Sequence, residues 1–297
     1  MIWAAILIDG VVYAAWLFIV ALGLTLVFGV MKILNVAHGA FYAIGAYAAA
    51  SIVGVYFAGD RPLIGGYVLL LVSSIVVGVV IGVLLERAVL RFIYGRDEVV
   101  AALATYAVFL ILEDMILVLW GTDPYFAGEP ATALGADVIF GLPVSNYDLA
   151  LVGVAAAVGL LLWLGLNRTR IGKLLLAVIH DREMSAAFGI NVTLVFTLTF
   201  VLGAVLGALG GALTAPKISV APGIGVEVIV LAFAVVVIGG MGSIPGALIG
   251  ALIVGICRAA AVLLLPQIEL FVIYAVMTLV LAFRPYGLFA RAQARRI

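Results

Sequence analysis

Residues 167–191, NRTRIGKLLLAVIHDREMSAAFGIN, form a charged segment between two long apolar stretches, 149–166 and 192–214. The whole chain is built in this way, since 67% of its 297 residues are hydrophobic and 10% are charged. The mean hydropathy is +1.39, whereas soluble domains carry about 25% charged residues. The sequence therefore predicts a polytopic membrane protein in which segments such as 167–191 lie outside the bilayer.

The lengths of the apolar stretches predict an all-α fold. A hydrocarbon core about 30 Å thick requires roughly 20 apolar residues per helix. This criterion predicts eight or nine transmembrane helices within a single domain, 1–297. The candidate spans are 11–31, 40–57, 63–85, 99–120, 149–166, 192–214, 227–238, 247–265 and 270–283. The stretches 227–238 and 270–283 are too short to cross comfortably, which predicts broken or re-entrant segments.

The orientation follows from the basic residues, which favour the cytoplasmic side. Eleven of the fifteen Lys and Arg residues fall on one side if the spans cross in turn: Arg87, Arg91, Arg96, Arg168, Arg170, Lys173, Arg182, Arg284, Arg291, Arg295 and Arg296. The connection 121–148 contains only acidic charges, as an outer loop would. We therefore expect the C-terminus inside and, with nine crossings, the N-terminus outside. Residues 32–39 are either a loop or a break within one span.

The polar segment 167–191 contains a short helical pattern. Residues 177–188 lack Pro and Gly, and Gly189 is a typical helix stop. Met184, Ala187 and Phe188 form an apolar patch at i, i+3 and i+4, beside the charged Asp181, Arg182 and Glu183. Such a helix could dock into a groove of another protein. The alternative is a solvated surface helix with interfacial Lys and Arg anchors.

Two glycine-rich clusters interrupt the apolar sequence. The first, NVAHGAFYAIGAY at 35–47, contains Asn35, His38 and Gly39, and the second, VIGGMGSIPGALIG at 237–250, contains Ser243 and Pro245. Broken helices are tolerated at membrane depth where the freed backbone groups line a cavity or are buried in protein. Each cluster is thus a candidate for the lining of a translocation pathway, and a tight turn is the alternative. His38 is interpreted as a hydrogen-bonded structural residue in preference to a proton relay.

Charged residues within a membrane span are costly and predict a function or a compensating partner. Glu113 and Asp114 lie in the span 99–120, and Arg258 lies in the span 247–265 at a similar depth. We expect Arg258 to form an ion pair with Glu113 or Asp114. Contact with a charged solute is the alternative.

Several chemical functions are not supported by the residues present. With two histidines and one cysteine, no metal site is expected. Gly240 and Gly242 fail the dinucleotide fingerprint because Pro245 replaces its third glycine, and Gly172–Lys173 lacks the rest of a phosphate loop. We expect neither a cofactor nor enzymatic activity, and no nucleic-acid partner.

No basic residue precedes the first apolar segment, as would be expected of a cleaved signal peptide, so that segment is expected to be retained.

Three stretches in order resemble the LivH-type permeases of high-affinity branched-chain amino acid ABC transporters. They are GLTLVFGVMKILNVAHGAFYAIGAY, RTRIGKLLLAVIHDREMSAAFGIN and AVVVIGGMGSIPGALIGALIVG. The resemblance covers nearly the whole chain, from about residue 10 to PYGLFAR. It implies a multi-pass permease subunit in the cell (inner) membrane. It also implies a LivM-like second permease, two cytoplasmic ATPase subunits and an extracytoplasmic solute-binding protein as partners.

The resemblance also implies roles for particular residues. The segment 177–189 matches the cytoplasmic coupling loop of the family, with corresponding positions at Asp181, Met184, Ala186, Gly189, Ile190 and Asn191. Arg182 and Glu183 are then expected to contact the ATPase. The chain departs from the family pattern at Ala40, where glutamate is frequent, and at Arg258, where an acid is frequent. Similar permeases import urea, amides and aromatic acids, so the solute stays open. The alternative function is an ion-coupled secondary transporter in which Glu113, Asp114 or His38 carries the proton.

Overall fold

The computed structural model describes residues 1–59 and 61–289; Arg291, Arg295 and Arg296 of the expected basic tail lie outside the described residues. Its helices follow the apolar stretches closely. They are α1 (Ile2–Met31), α2 (His38–Phe57), α3 (Leu63–Leu85), a π-helical turn (Glu86–Leu90), α4 (Arg91–Ile93), α5 (Glu98–Trp120), α6 (Glu129–Ala133), α7 (Asn146–Arg168), α8 (Arg170–His180), α9 (Arg182–Ala187), α10 (Val192–Thr214), α11 (Ile224–Gly239), α12 (Ile244–Leu264), a 3₁₀ turn (Pro266–Ile268) and α13 (Glu269–Phe283).

Seven helical segments in the described part of the chain are long and apolar enough to cross a membrane. The two shorter apolar helices, α11 and α13, correspond to the stretches predicted to be too short. The all-α prediction with broken segments is therefore confirmed. The chain is a multi-pass membrane protein.

Helix α1 lies at the centre of the molecule, and 78% of its most apolar window is buried. It packs along α12 through Gly10 and Gly255, where an added Cβ atom would collide with the backbone of the other helix. Helix α10 packs along α3 in the same manner, with Gly78 and Gly82 against Val201 and Val205. Small residues permit this close approach, which drives helix association in lipid.

The connections that follow α1 and α10 re-enter the bilayer. Residues 32–37 run back from the end of α1 without helical structure, and α2 starts at His38 beside Val20. Val20 lies eleven residues before the end of α1, which corresponds to about 16 Å along the helix axis. Residues 215–223 lead back in a similar way to α11. Of the two alternatives for 32–39, the structure shows a non-helical connection between two separate helices, each long and apolar enough to be a span, and not a break within one span.

The loop 121–148 contains the β-structure of the described chain. Strands β1 (Ala136–Ile139) and β2 (Leu142–Ser145) pair antiparallel. Phe140 and Gly141 both have positive φ, as a two-residue hairpin turn with the twist of the strands requires. Asp148 at the start of α7 pairs with Lys217 after α10. This pair fixes the ends of two helices at the outer side.

Candidate functional site

The two broken helices α2 and α11 meet at their N-termini inside the bilayer. Gly39 and Gly225 are in backbone contact, and a Cβ atom on either residue would collide with the other. We call this place, with Gly39, Gly225 and the side chains around them, the junction. Helix N-termini carry partial positive charge and free N–H groups, so two of them together can bind or orient a polar group.

His38 fixes the first of these helices in place. Its side chain is fully buried, and Nε2 lies 2.9 Å from the carbonyl oxygen of Val20 on α1. The imidazole fills a space left by Gly23 of α1 and Gly207 of α10, where an added Cβ would approach Cε1. His38 therefore packs between α1, α2 and α10, while its Nδ1 atom has no hydrogen-bond partner in the described chain.

The re-entrant segment before His38 is held by α5. The Oγ1 atom of Thr105 donates to the carbonyl oxygen of Leu34 at 3.0 Å and accepts from the N–H of Val36 at 3.2 Å. Asn35 between them is fully buried, and neither polar atom of its side chain has a hydrogen-bond partner in the described chain. An unpaired buried amide is costly, so Asn35 is suited to accept a polar group that is not part of this chain.

Glu113 connects α5 to the start of α11. Its Oε2 atom accepts a hydrogen bond from the N–H of Gly223 at 3.3 Å. Its Oε1 atom lies against Gly225, where an added Cβ would collide with it, and has no partner in the described chain. A carboxylate at a helix N-terminus is stabilised by the helix dipole. Glu113 therefore faces the junction.

The predicted ion pair of Arg258 with Glu113 or Asp114 does not form. Arg258 pairs with Glu269 at the start of α13, and its guanidinium lies 4.1 Å from the centre of the Tyr13 ring. The physical reason is the packing of helices, because α12 lies against α1 and α13 whereas α5 lies against α2. Equal depth along the bilayer normal was not sufficient to predict contact.

Asp114 lies on the exposed face of α5, next to Ile111, Met115 and Val118. The exposed face of α3 offers a comparison. Its large exposed side chains are all aliphatic: Leu63, Ile64, Val68, Leu71, Val72, Ile75, Val76, Val79, Val80 and Leu84. A carboxylate directed into hydrocarbon costs several kcal/mol, roughly 3 on insertion scales. The exposed face of α5 is thus suited to contact water or another protein, whereas the exposed face of α3 is suited to contact lipid.

The second glycine cluster is a turn between α11 and α12. Ser243 caps α12, with its Oγ atom accepting from the N–H of Gly246 at 3.1 Å, and Pro245 lies in the first turn. Gly242 contacts Gly29, nine residues from Val20 on α1, which is about 14 Å of depth. The structure therefore places Ser243 and Pro245 near the cytoplasmic end and does not bring them together with Asn35, His38 and Gly39.

The segment 167–191 contains the end of α7 and two short helices, α8 and α9, where the sequence pattern indicates one over 177–188. The break is at Asp181, whose Oδ1 atom accepts from the N–H of Met184 at 3.0 Å and so caps α9. Gly189 ends the segment with φ of 81°, as predicted. Met184 and Phe188 are 55% and 79% exposed. Arg182, Glu183 and Ala186 are exposed with them.

Comparison with known proteins identifies the family. The model of the family described as branched-chain amino acid transport system, permease component, matches residues 6–281. The chain belongs to this permease family. The arrangement of this permease, with two broken helices that meet at their N-termini and a short exposed helix, agrees with the transport function of the family.

Curated relatives resemble the permease over almost its full length. The branched-chain amino acid permease protein BraD of Pseudomonas aeruginosa is 29% identical, covering 98% of this chain and 97% of its own. LivH of Escherichia coli K12 is 28% identical over 97% of this chain and 96% of its own. The ribose import permease RbsC of Escherichia coli K12 is 27% identical over 80% of this chain and 71% of its own.

Sequence reasoning missed several residues that the structure places at or near the junction or against Arg258. Thr105, Gly223, Gly225 and Glu269 were not singled out. A signal existed for Gly223 and Gly225, because Pro222 and these glycines precede an apolar stretch too short to cross. Thr105 bonds to Leu34 and Val36, and Glu269 pairs with Arg258, which is eleven residues earlier across a turn. Contacts between residues so far apart cannot be predicted from a single sequence.

Proposed function

We propose that this permease is the transmembrane subunit of an ATP-driven importer of branched-chain amino acids, and that it moves the solute by alternating access. The observation that carries the proposal is the pairing of a mid-membrane junction of two broken helices with an exposed cytoplasmic helix, in a chain of this family. Broken helices at the bilayer midplane are a recurrent basis for solute sites in transporters.

The partners of the proposed importer are a LivM-like second permease, two cytoplasmic ATPase subunits and an extracytoplasmic binding protein. The exposed face of α5 supports a second membrane-embedded partner, because Asp114 cannot face hydrocarbon at low cost. The names of BraD and LivH support the solute class, since both are described as branched-chain amino acid permeases.

The proposed pathway runs along α5 and past the junction. Asn35 offers an unpaired amide, and Glu113 and Asp114 offer carboxylates on two faces of the same helix. A branched-chain amino acid has an ammonium group, which a carboxylate can bind. His38 and Gly39 hold the broken helix in position. Ser243 and Pro245 shape the cytoplasmic end of the pathway.

Coupling to ATP hydrolysis is assigned to the segment Asp181–Gly189. Exposed Met184 and Phe188 provide apolar anchors, and Asp181, Arg182 and Glu183 provide charges around them. This is the composition of a helix that packs into a groove of another protein. Ala186 lies on the exposed side of α9, where a bulky residue would interfere with docking.

The experiment that tests the function is uptake of labelled leucine into vesicles. The complete set of permeases, ATPases and binding protein is compared with sets that lack one member, with ATP on the ATPase side. We expect uptake only in the complete, ATP-fed vesicles. Uptake by this chain alone, abolished by an uncoupler, would establish the ion-coupled transporter instead, with Glu113, Asp114 or His38 as the proton carrier.

A further inference from the structure

A cavity of about 320 Å³ opens at the cytoplasmic side, away from the junction. It lies between the end of α1, the connection from α4 to α5, the end of α8, the start of α9 and the start of α10. Three cations from three of these elements line it: Lys32 after α1, Arg96 before α5, and Arg182 at the start of α9. Neither the proposed docking of the ATPase subunits nor the proposed pathway requires these three cations to lie around one cavity.

The three cations are not neutralised by ion pairs within the described residues, where the two ion pairs formed involve other side chains. Lys32 Nζ lies 5.6 Å from the centre of the Phe28 ring, and the Arg182 guanidinium lies 5.0 Å from that of Phe196. Both charged groups therefore lie over aromatic rings, a contact that leaves hydrogen-bond donors of each group available. The carboxylate of Glu98 also lines the cavity, so the cations exceed the anions by two.

A second carboxylate near the cavity is already satisfied. Glu86 is buried, and its Oε1 atom accepts a hydrogen bond from the hydroxyl of Tyr94 at 2.8 Å. Burial and this bond raise the pKa of Tyr94, while the charge of nearby Arg182 opposes the rise. Glu86 is thus held by Tyr94 and does not itself line the cavity, whose lining carries three cations and one carboxylate.

The remaining walls are apolar and include Val30, Ile33 and Val178. An opening with cations at the membrane surface and aliphatic walls beneath them matches a phosphate group attached to a hydrocarbon chain. Basic pockets between transmembrane helices on the cytoplasmic side are known to bind phospholipid headgroups. Inorganic phosphate shares the anionic chemistry but would leave the apolar walls without contacts.

We propose that this cavity binds a phosphate-bearing anion, carried by an anionic phospholipid or present as free phosphate. The site goes beyond the transport function, since it contains neither the junction nor the outer face of α5. It joins the coupling segment, through Arg182, to the first residue of the re-entrant connection, Lys32. A bound anion would hold these two elements together and so stabilise one of their relative positions.

The test measures lipid binding to the full chain in detergent by native mass spectrometry. Phosphatidylglycerol and phosphatidylcholine are titrated onto the unaltered chain, onto Lys32→Gln/Arg96→Gln, and onto Arg168→Gln/Arg170→Gln. The last variant loses the same charge on the same side, from exposed residues that do not line the cavity. Arg182 is left unchanged because it belongs to the coupling segment. Retained helical circular dichroism shows that each variant is folded. If Lys32→Gln/Arg96→Gln does not fold, the single variant Lys32→Gln takes its place in the titration.

We expect phosphatidylglycerol to bind the unaltered chain and the control equally, and the cavity variant roughly tenfold more weakly. Competition by inorganic phosphate at equal phosphorus concentration would assign the site to free phosphate, and its absence would assign the site to the lipid. Equal binding of the two lipids to the unaltered chain, or an equal loss in both variants, would overturn the proposal. None of these binding measurements depends on transport. A failure of the lipid-site proposal can therefore be distinguished from a failure of the proposed importer function.

Discussion

The carboxylate of Glu113 accepts a hydrogen bond from the backbone N–H of Gly223, with 3.3 Å between the heavy atoms. This bond joins the middle of α5 to the N-terminus of α11 inside the bilayer. Since α11 starts beside Gly39 of α2, a movement of α5 changes the position of both broken helices. The bond thus connects α5 to the junction, on a face of α5 other than that of exposed Asp114.

Substitution of Gly39 by Ala should destabilise the protein. The new Cβ atom would collide with the carbonyl of Gly225 and approach Ile229 at 2.8 Å. Overpacking of this kind costs about 1–3 kcal/mol, which should lower the thermal unfolding midpoint in detergent. Gly153→Ala is the control, because nothing lies within 4 Å of its Cβ position, and it should be neutral or stabilising. Equal midpoints for the two variants would refute the contact.

Substitutions of His38 separate a structural role from proton transport. His38→Ala would leave a cavity between α1 and α10 and should cost about 2 kcal/mol or more of unfolding free energy. His38→Gln can still donate to the carbonyl of Val20 and should retain most uptake. A folded His38→Gln variant without uptake would support the relay instead.

The pair of Arg258 and Glu269 can be measured by a double-mutant cycle. Both side chains are about one-third exposed, at 32% and 28%, so we expect a coupling free energy of about 0.5–1 kcal/mol between Arg258→Met and Glu269→Gln. The matching cycle of Arg258→Met with Glu113→Gln should give none. A larger coupling in the second cycle would restore the pairing that the sequence had suggested.

Substitution of Ala186 by Arg should uncouple ATP hydrolysis from uptake. Ala186 is exposed on α9, and a long charged side chain there would obstruct docking of the ATPase subunits. We expect normal insertion in the membrane and uptake lowered by at least about tenfold, which corresponds to about 1.4 kcal/mol. Thr193→Arg is the control, because Thr193 is exposed on the same side outside α9. Normal uptake by the Ala186 variant would exclude the coupling role.

Much of the fold was predictable because apolar length determines membrane spans. The stretches 192–214 and 63–85 coincide with α10 and α3 at both ends, since polar or proline residues flank them. The non-helical connection before His38 was predictable as an alternative, because Asn35, His38 and Gly39 interrupt an apolar run. The two-residue turn of the outer hairpin was not, since its stability depends on pairing with the following strand.

The contacts of the candidate site were less predictable than its residues. Arg258 and Glu113 have similar depths, but their partners depend on which helices are neighbours, and a sequence period does not contain this information. Once the structure is known, the glycines explain part of this choice of neighbouring helices. Gly23 and Gly207 leave the space that the ring of His38 fills, and only the packed structure shows that these three residues meet.

A water-filled pathway along α5 is tested most directly by thiol accessibility in the complete transporter. Cys257 is replaced by Ala, and a single cysteine is introduced as Asp114→Cys or as Val76→Cys on the aliphatic face of α3. A membrane-impermeant thiol reagent should modify the first variant and not the second, and the rate for the first should change when ATP binds. Equal, slow modification of both variants would contradict a pathway along α5.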